Sequence, residues 1–159
     1  MDIHWKQEYT GDMEVRQRDG VTYLSYPRLE RESAIVHGFS TRLGGVSEGC
    51  LGSMNLSFSR GDNLENVLEN YRRISRAIGF PVESIVTSDQ THTTNVRQVG
   101  KEDCGCGVLT PRTFHDIDGL ITNEPGVTLA TFYADCVPLY FYDPTTKPSV
   151  CPIPAGGEP

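Results

Sequence analysis

Apolar residues recur with a helical period in one long segment of the chain, residues 62–78. This spacing places them along one face of an α-helix. Asp62 lies three residues before Glu65, which is the spacing of a capping box. Gly79 and Pro81 follow the segment, as is typical of a helix end. The pattern therefore predicts one helix over residues 62–78, with an apolar stripe formed by Leu64, Val67, Leu68, Tyr71, Ile74 and Ile78.

The remaining apolar segments are short and rich in β-branched and aromatic residues, which favours strands. Asp19-Gly20 predicts a hairpin turn before the first of them. Residues 42–62 are rich in Gly, Ser and Asn and predict a long loop, a feature that is often functional in compact domains. One helix among several strands predicts an α+β fold. The predicted strands cover residues 21–26, 34–39, 85–88, 95–99, 119–122, 127–132 and 137–142.

The last predicted strand, residues 137–142, is almost continuously apolar, which is typical of a strand buried on both faces. The segment that follows is rich in Pro and Gly and has no periodicity. We therefore expect one domain over residues 1–148 and an irregular tail over residues 149–159. If a domain stops after such a strand, the elements that would pack on the faces of the strand are missing. We therefore expect the domain to be incomplete at its C-terminus.

Composition narrows the possible classes of protein. The chain has 159 residues, of which 37% are hydrophobic and 22% charged, and this excludes a disordered tail, a coiled coil and a collagen-like repeat. No apolar run approaches the roughly 20 residues that span a bilayer, and the N-terminus lacks the pattern of a secretory signal. We expect a cytoplasmic protein without a membrane partner. The net charge of −7 argues against nucleic acid as a partner, but it allows a small anionic substrate in a local cationic pocket.

Two polar clusters next to predicted strands are candidates for chemistry. Cys136 follows Asp135 between two apolar segments, and an acid at such a junction is costly unless it caps, pairs or ligates. Gln90 and His92 lie in the polar stretch after another strand, where binding sites are commonly built. An imidazole and a thiolate suit zinc, but two ligands do not make a site. His37 and His115 are the other plausible imidazoles, and Cys104-Gly105-Cys106 lacks the spacing of a zinc ribbon.

A third cluster surrounds Arg42, which precedes Gly44-Gly45 and several hydroxyl residues. A guanidinium beside such a loop can hold a phosphate, because it binds two oxygens while the glycines let backbone N–H groups approach. The alternative is a flexible loop with a solvated arginine. No Walker A or G-x-G-x-x-G pattern is present.

The order of the clusters resembles one family over residues 37–144. The motifs are H-G-F-S-T-R-x-G-G-V-S, M-N-L-S, Q-T-H, D-G-L-I-T and A-D-C-V-P. Together they resemble the multicopper polyphenol oxidase, or laccase-domain, family, whose members are regarded mainly as purine nucleoside phosphorylases with adenosine deaminase activity. The resemblance implies a single domain with a mixed β-sandwich flanked by helices. It also implies a bound metal ion, usually zinc, with copper reported for members described as laccases.

The resemblance also implies roles for individual residues. His92 and Cys136 match metal ligands and catalytic positions, and Asp135 matches a further catalytic position. Arg42, Asn55 and Gln90 match positions that bind substrate. The family continues with a motif whose histidine is the third ligand, and this motif is absent here, as a C-terminally truncated member would show.

Three functional hypotheses follow. The first is phosphorolysis of adenosine, inosine or methylthioadenosine, with adenosine deamination as a second activity and purine nucleoside and phosphate as small-molecule partners. The second is a copper-dependent polyphenol oxidase, which the presence of only four histidines argues against. The third is an inactive, truncated fragment.

Overall fold

The computed structural model describes residues 13–134 and 136–145, together with the backbone of one further strand. Within these residues, helices and short strands combine in a mixed α/β architecture, which confirms the predicted fold class. In chain order the elements are β1 (Glu14–Arg18), β2 (Val21–Ser25), α1 (Pro27–Glu30), β3 (Phe39–Ser40), α2 (Leu64–Ile78), β4 (Ile85–Thr87), β5 (Val96–Gln98), β6 (Gly119–Ile121), β7 (Thr128–Ala130), β8 (Val137–Phe141) and β9 (Cys151–Ala155).

The described residues divide into two compact units, the first ending at Ile78 and the second beginning at Gly79. The first unit contains an antiparallel sheet of order β1-β2-β3. Its first two strands are joined by Asp19 and Gly20, whose φ angles of 51° and 77° are those of a tight hairpin turn. The predicted hairpin is therefore confirmed.

Helix α2 carries most of the predicted apolar face, although Leu64 is 59% exposed, and its cap also differs from the prediction. The helix begins at Leu64, and the side-chain Oδ1 of Asn63 accepts a hydrogen bond from the N–H of Glu65 at 2.9 Å. Asn63, rather than Asp62, is thus the N-cap. Gly79 ends the helix with a φ of 108°, as predicted. Across the described ranges, no helix is both long enough and apolar enough to cross a membrane.

The core of the first unit lies between α2 and β2. Ile74 and Ala77 of the helix pack with Val21 and Met54, and all four side chains are buried. The hydrophobic contact removes their apolar surface from water and holds the helix on the sheet.

The strand predicted over residues 34–39 is wrong in its extent, because only Phe39 and Ser40 pair with β2. The preceding residues form a turn in which the N–H of Ile35 donates to the carbonyl of Glu32. His37 then lies beside the first sheet, where its Nε2 accepts a hydrogen bond from the N–H of Tyr26 at 2.8 Å. The apolar run therefore does not form a strand, and Val36 within it is 58% exposed.

The second unit contains two pairs of parallel strands, β4 with β7 and β5 with β6. A cluster of buried apolar side chains supports these short strands. It comprises Val86, Val99, Cys106, Phe114 and Leu120. Because paired parallel strands run in the same direction, the segments that leave their carboxyl ends start at the same edge of the sheet.

Strand β8 differs from the predicted buried strand. Its side chains alternate between half-buried and exposed, with Val137 62% and Phe141 53% exposed. Strand β9, Cys151–Ala155, pairs with it in antiparallel register, within the segment expected to be an irregular tail. Its two prolines occupy alternate positions, so they remove backbone donors from only one side of the strand and leave the other able to pair.

Candidate functional site

The two motifs that contain His92 and Cys136 leave the same edge of one parallel strand pair. Strand β4 ends at Thr87 and leads to the His92 segment, and β7 ends at Ala130 and leads to the Cys136 segment. The pairing register places Thr87 opposite Ala130. Ligand sites in parallel sheets form at the carboxyl ends of strands. Both candidate segments of the second unit therefore begin at the same edge of the β4–β7 pair.

Gln90 ties these two segments together. Its Oε1 accepts a hydrogen bond from the N–H of Phe132 at 2.7 Å, and its Nε2 donates to the carbonyl of Phe132 at 2.9 Å. The Ser88 hydroxyl donates to the same Oε1 at 3.2 Å. The amide of Gln90 therefore acts as a bridge between the loop after β4 and the segment after β7. Its expected contact with substrate stays a prediction.

Asp118 holds the backbone around His92. Its carboxylate accepts hydrogen bonds from three consecutive N–H groups, those of Thr91, His92 and Thr93, at 3.2, 3.0 and 2.8 Å. The Thr93 hydroxyl donates a fourth bond at 2.9 Å. Successive N–H groups that converge on one anion form a backbone nest. Here the anion is a side chain of the protein itself.

The charge of Asp118 is stabilised by these bonds. The residue is 3% exposed, and burial by itself would raise the pKa of its carboxyl group. The bonds from the backbone and hydroxyl of Thr93 and from the N–H groups of Thr91 and His92 outweigh burial and lower this pKa below its ordinary value. A buried ionised carboxylate with four donors is therefore a stable anchor for the loop.

Sequence reasoning did not single out Asp118, although a signal was present. The residue directly precedes the apolar strand β6, and Leu120 in that strand is fully buried. An acid at the start of a buried strand is costly unless it is paired, which is the argument that drew attention to Asp135.

A second acidic residue of this region, Asp89, binds two basic groups. Its Oδ1 lies 2.9 Å from Nη1 of Arg112, and its Oδ2 lies 3.0 Å from Nδ1 of His115. Arg112 also donates from Nη2 to the Thr87 hydroxyl at 3.1 Å. His115, considered as a further metal ligand, is thus engaged by Asp89 through its Nδ1.

The described residues supply two of the expected metal ligands. His92 is exposed and Cys136 is half-buried, while Asp135 lies outside the described residues. Imidazole and thiolate suit zinc or copper. In the part of the chain that the structure describes, no three His, Cys, Asp or Glu side chains form a group that could hold a metal ion. The described donors therefore do not complete a metal site, and metal binding stays a prediction.

In the first unit, Arg42 stabilises its own loop. Its Nη2 donates to the carbonyls of Cys50 and Gly52 at 3.0 and 2.9 Å. These bonds fold the loop back on itself, while the residue as a whole stays exposed. The structure thus gives Arg42 a structural role, and its expected role in phosphate binding is untested.

Asn55 lies in a polar network that joins this loop to α2. Its Nδ2 donates to Oδ2 of Asp62 at 2.9 Å, and the Ser47 hydroxyl donates to the same oxygen at 2.6 Å. The bonds from Ser47 and Asn55 lower the pKa of the Asp62 carboxyl group. Asn70 of α2 donates to the Asn55 carbonyl at 2.8 Å and completes the connection. The expected substrate role of Asn55 is likewise untested.

Comparison with known proteins places these motifs in one family. Residues 36–156 match the family described as multi-copper polyphenol oxidoreductase laccase. Purine nucleoside phosphorylase YlmD of Geobacillus stearothermophilus is 40% identical over 111 residues, which are 69% of this chain and 40% of that protein. Purine nucleoside phosphorylase LACC1 of Mus musculus is 36% identical over 152 residues, covering 87% of this chain and 33% of that protein. The chain spans less than half the length of these relatives.

Solved structures agree with the sequence comparison. The crystal structure of YlmD from Geobacillus stearothermophilus matches with a TM-score of 0.74 and 34% identity, over 89% of this chain and 52% of that chain. The Bacillus licheniformis protein YfiH matches with a TM-score of 0.76 and 29% identity over the same shares. The resemblance predicted from the order of the motifs is therefore confirmed, and the chain belongs to the multi-copper polyphenol oxidoreductase laccase family.

Proposed function

We propose that this chain is part of an enzyme that cleaves purine nucleosides with phosphate, and that it deaminates adenosine as a second activity. The proposed small-molecule partners are adenosine, inosine or methylthioadenosine and inorganic phosphate, and the proposed location is the cytoplasm. The observation that carries the proposal is the common origin of the His92 and Cys136 segments at one edge of the β4–β7 pair, joined by Gln90. The names of the relatives support it.

In phosphorolysis, a phosphate oxygen forms a bond to C1′ of the ribose while the bond from C1′ to the purine nitrogen breaks. From adenosine or inosine the products are the free base and ribose 1-phosphate, and from methylthioadenosine the sugar product keeps its methylthio group. The enzyme has to hold an anion and to supply a proton to the departing base. For the first unit, the proposal assigns phosphate binding to Arg42. For the second unit, it assigns catalytic roles to His92 and Cys136, with Asp135 orienting a ligand or moving a proton.

Metal binding is a separate part of the proposal. His92 and Cys136 are proposed as two ligands of a zinc or copper ion, and such an ion supplies Lewis-acid chemistry when bound. Since two ligands do not hold an ion alone, the site needs a further ligand, and the steps above use only the chain's own residues.

The oxidase alternative has weaker support. A multicopper oxidase needs many histidine ligands, and the chain has four histidines. His37 already accepts a backbone hydrogen bond through Nε2, and His115 pairs with Asp89 through Nδ1. Each contact leaves the second ring nitrogen available, so the weaker support rests on the number of histidines.

The decisive assay incubates the purified chain with adenosine or inosine, with and without phosphate, and identifies the products by chromatography. Free base and ribose 1-phosphate that appear only with phosphate support phosphorolysis, and inosine formed from adenosine supports deamination. Phosphate-independent consumption of oxygen with a phenol would favour the oxidase. No turnover of any substrate would favour the inactive fragment and overturn the proposal.

Variants separate the assigned roles. His92→Ala and Cys136→Ala should each abolish deamination. Arg42→Lys should raise the KM for phosphate while deamination changes little, because lysine keeps the charge but loses the planar fork of donors. Arg60→Lys, at an exposed arginine of the same unit, is the matched control. Equal loss of both activities in Arg42→Lys would show that Arg42 is structural or binds the nucleoside.

A further inference from the structure

We propose that Asp118 is a positioning residue for His92, holding the backbone that presents its imidazole. The proposal deepens the proposed function, since it rests on His92 acting in the reaction. Its basis is the convergence of the N–H groups of residues 91–93 on the buried carboxylate of Asp118.

The backbone of His92 needs such support. Its φ angle is 64°, in the left-handed region that residues other than glycine rarely adopt. Strained residues of this kind persist where their surroundings fix them, and they cluster at functional sites. Oδ1 of Asp118 accepts the N–H of His92, and Oδ2 accepts those of Thr91 and Thr93, so loss of the carboxylate would free the turn to relax.

Asp118 is itself fixed from the side of the sheet. Its own N–H and that of Gly119 both donate to the carbonyl of Asn95 at 3.1 Å. The Asn95 side chain donates to the carbonyl of Asp116 at 2.9 Å. The carboxylate thus joins a rigid strand start to an exposed loop, which is the arrangement that positioning of a functional side chain requires.

A second contact limits motion on the other side of His92. The Thr91 hydroxyl donates to Oδ1 of Asp116 at 3.0 Å. Thr91 and Thr93 are therefore both tied to the segment that carries Asp118, and His92 lies between them. Its imidazole is exposed while the backbone on either side is held.

The experiment compares Asp118→Asn with Asp103→Asn in the 159-residue chain. Asp103 is the matched control, because its Oδ2 accepts the N–H of Gly100 at 3.0 Å in the same unit. Asparagine keeps the shape but places an amide group against donors. We expect Asp118→Asn to lower kcat for inosine phosphorolysis on the order of 10- to 100-fold with little change in KM, and Asp103→Asn to stay near wild type.

A double variant distinguishes positioning from general stability. If Asp118 acts through His92, Asp118→Asn causes no further loss in a His92→Ala background. A further loss of similar size in that background would overturn the proposal, as would equal losses in Asp118→Asn and Asp103→Asn.

Thr93 provides a test that preserves the buried charge, in case Asp118→Asn does not fold. Thr93→Val removes the hydroxyl that donates to Asp118, and Thr93→Ser retains it. We expect a lower kcat in the valine variant and recovery in the serine variant. Equal kcat values in the two variants would count against the proposal.

A readout without turnover separates this proposal from the proposed function. By nuclear magnetic resonance, amide exchange at His92 should accelerate on the order of tenfold in Asp118→Asn and not in Asp103→Asn, and the ring signals of His92 should shift with it. If the wild-type chain shows no phosphorolysis, the proposed function fails while this measurement still decides the role of Asp118. Unchanged exchange and ring signals would overturn the role.

Discussion

Replacing Asn70 with Ala should destabilise the first unit by about 3 kcal/mol. Asn70 is fully buried in α2, and its Oδ1 accepts the N–H of Val46 at 2.8 Å. Its Nδ2 lies 2.8 Å from both the Ser47 hydroxyl and the Asn55 carbonyl, and 3.2 Å from the Ser53 carbonyl. One side chain thus joins two parts of the loop over residues 42–62, residues 46–47 and residues 53–55.

The magnitude follows from the groups that the truncation leaves without a partner. An amide has two N–H donors, so the three acceptors share them, and Ser47 keeps its bond to Asp62. Alanine at position 70 therefore leaves at least the N–H of Val46 and the carbonyl of Asn55 without a hydrogen-bond partner. Each of these part-buried groups costs up to about 1–3 kcal/mol when it has no partner, and the sum is a large part of the roughly 5–15 kcal/mol that stabilises a typical domain.

The matched control is Asn66→Ala, one turn earlier in the same helix. Asn66 is half-buried and makes a single long bond to Oδ1 of Asp62 at 3.4 Å, so its loss should cost less than about 1 kcal/mol. Both substitutions gain the same helix propensity, and this gain cancels in the comparison.

Urea unfolding followed by circular dichroism measures the two free energies of unfolding. If Asn70→Ala and Asn66→Ala differ by less than about 1 kcal/mol, the buried amide does not hold the loop as argued.

Three further predictions concern the rest of the chain. Burial lowers the pKa of His37 in the folded state, so its contribution to stability should be complete above the unfolded pKa of about 6.5 and should fall as the pH drops below that value. His37→Gln should flatten this pH dependence of the free energy of unfolding in urea. An unchanged pH dependence in the variant would show that burial of His37 is not its cause. Gln90→Leu should lower the thermal midpoint of unfolding by about 4–8 °C, because the N–H and the carbonyl of Phe132 lose their partner. The same substitution at the exposed Gln98 should leave the midpoint unchanged. Equal midpoints in the two variants would refute the role of Gln90 as a bridge to Phe132. Purified protein should carry zinc or copper by elemental analysis, and His92→Ala and Cys136→Ala should each lower the content; full retention in either variant would exclude that residue as a ligand.

The sequence alone determined the features that depend on neighbouring residues. The apolar stripe of α2 and its glycine end are local properties of a helix, and both appear as predicted, except that Leu64 is exposed. The Asp19-Gly20 hairpin depends on two residues that tolerate positive φ angles. The order of short motifs was sufficient to identify the family, because the motifs retain their sequence in this chain.

Local pattern did not determine which apolar segments become strands or which are buried. Residues 34–38 have the composition of a strand, yet His37 there binds the backbone of Tyr26 and no partner strand pairs with them among the described residues. Strand β8 has the composition of a buried strand, yet Val137 and Phe141 are exposed. Burial and pairing depend on what the rest of the fold places alongside a segment.

The tertiary structure also decided how the candidate site is held. Parallel pairing of β4 with β7 joins segments about 40 residues apart in the chain, and such pairing arises from backbone hydrogen bonds that any sequence can make. The same pairing lets Gln90 reach the backbone of Phe132. Only the structure shows that the carboxylate of Asp118 binds the backbone of residues 91–93 and so anchors His92. A buried charge has to be satisfied by the donors around it, and here these donors are distant from Asp118 in the sequence.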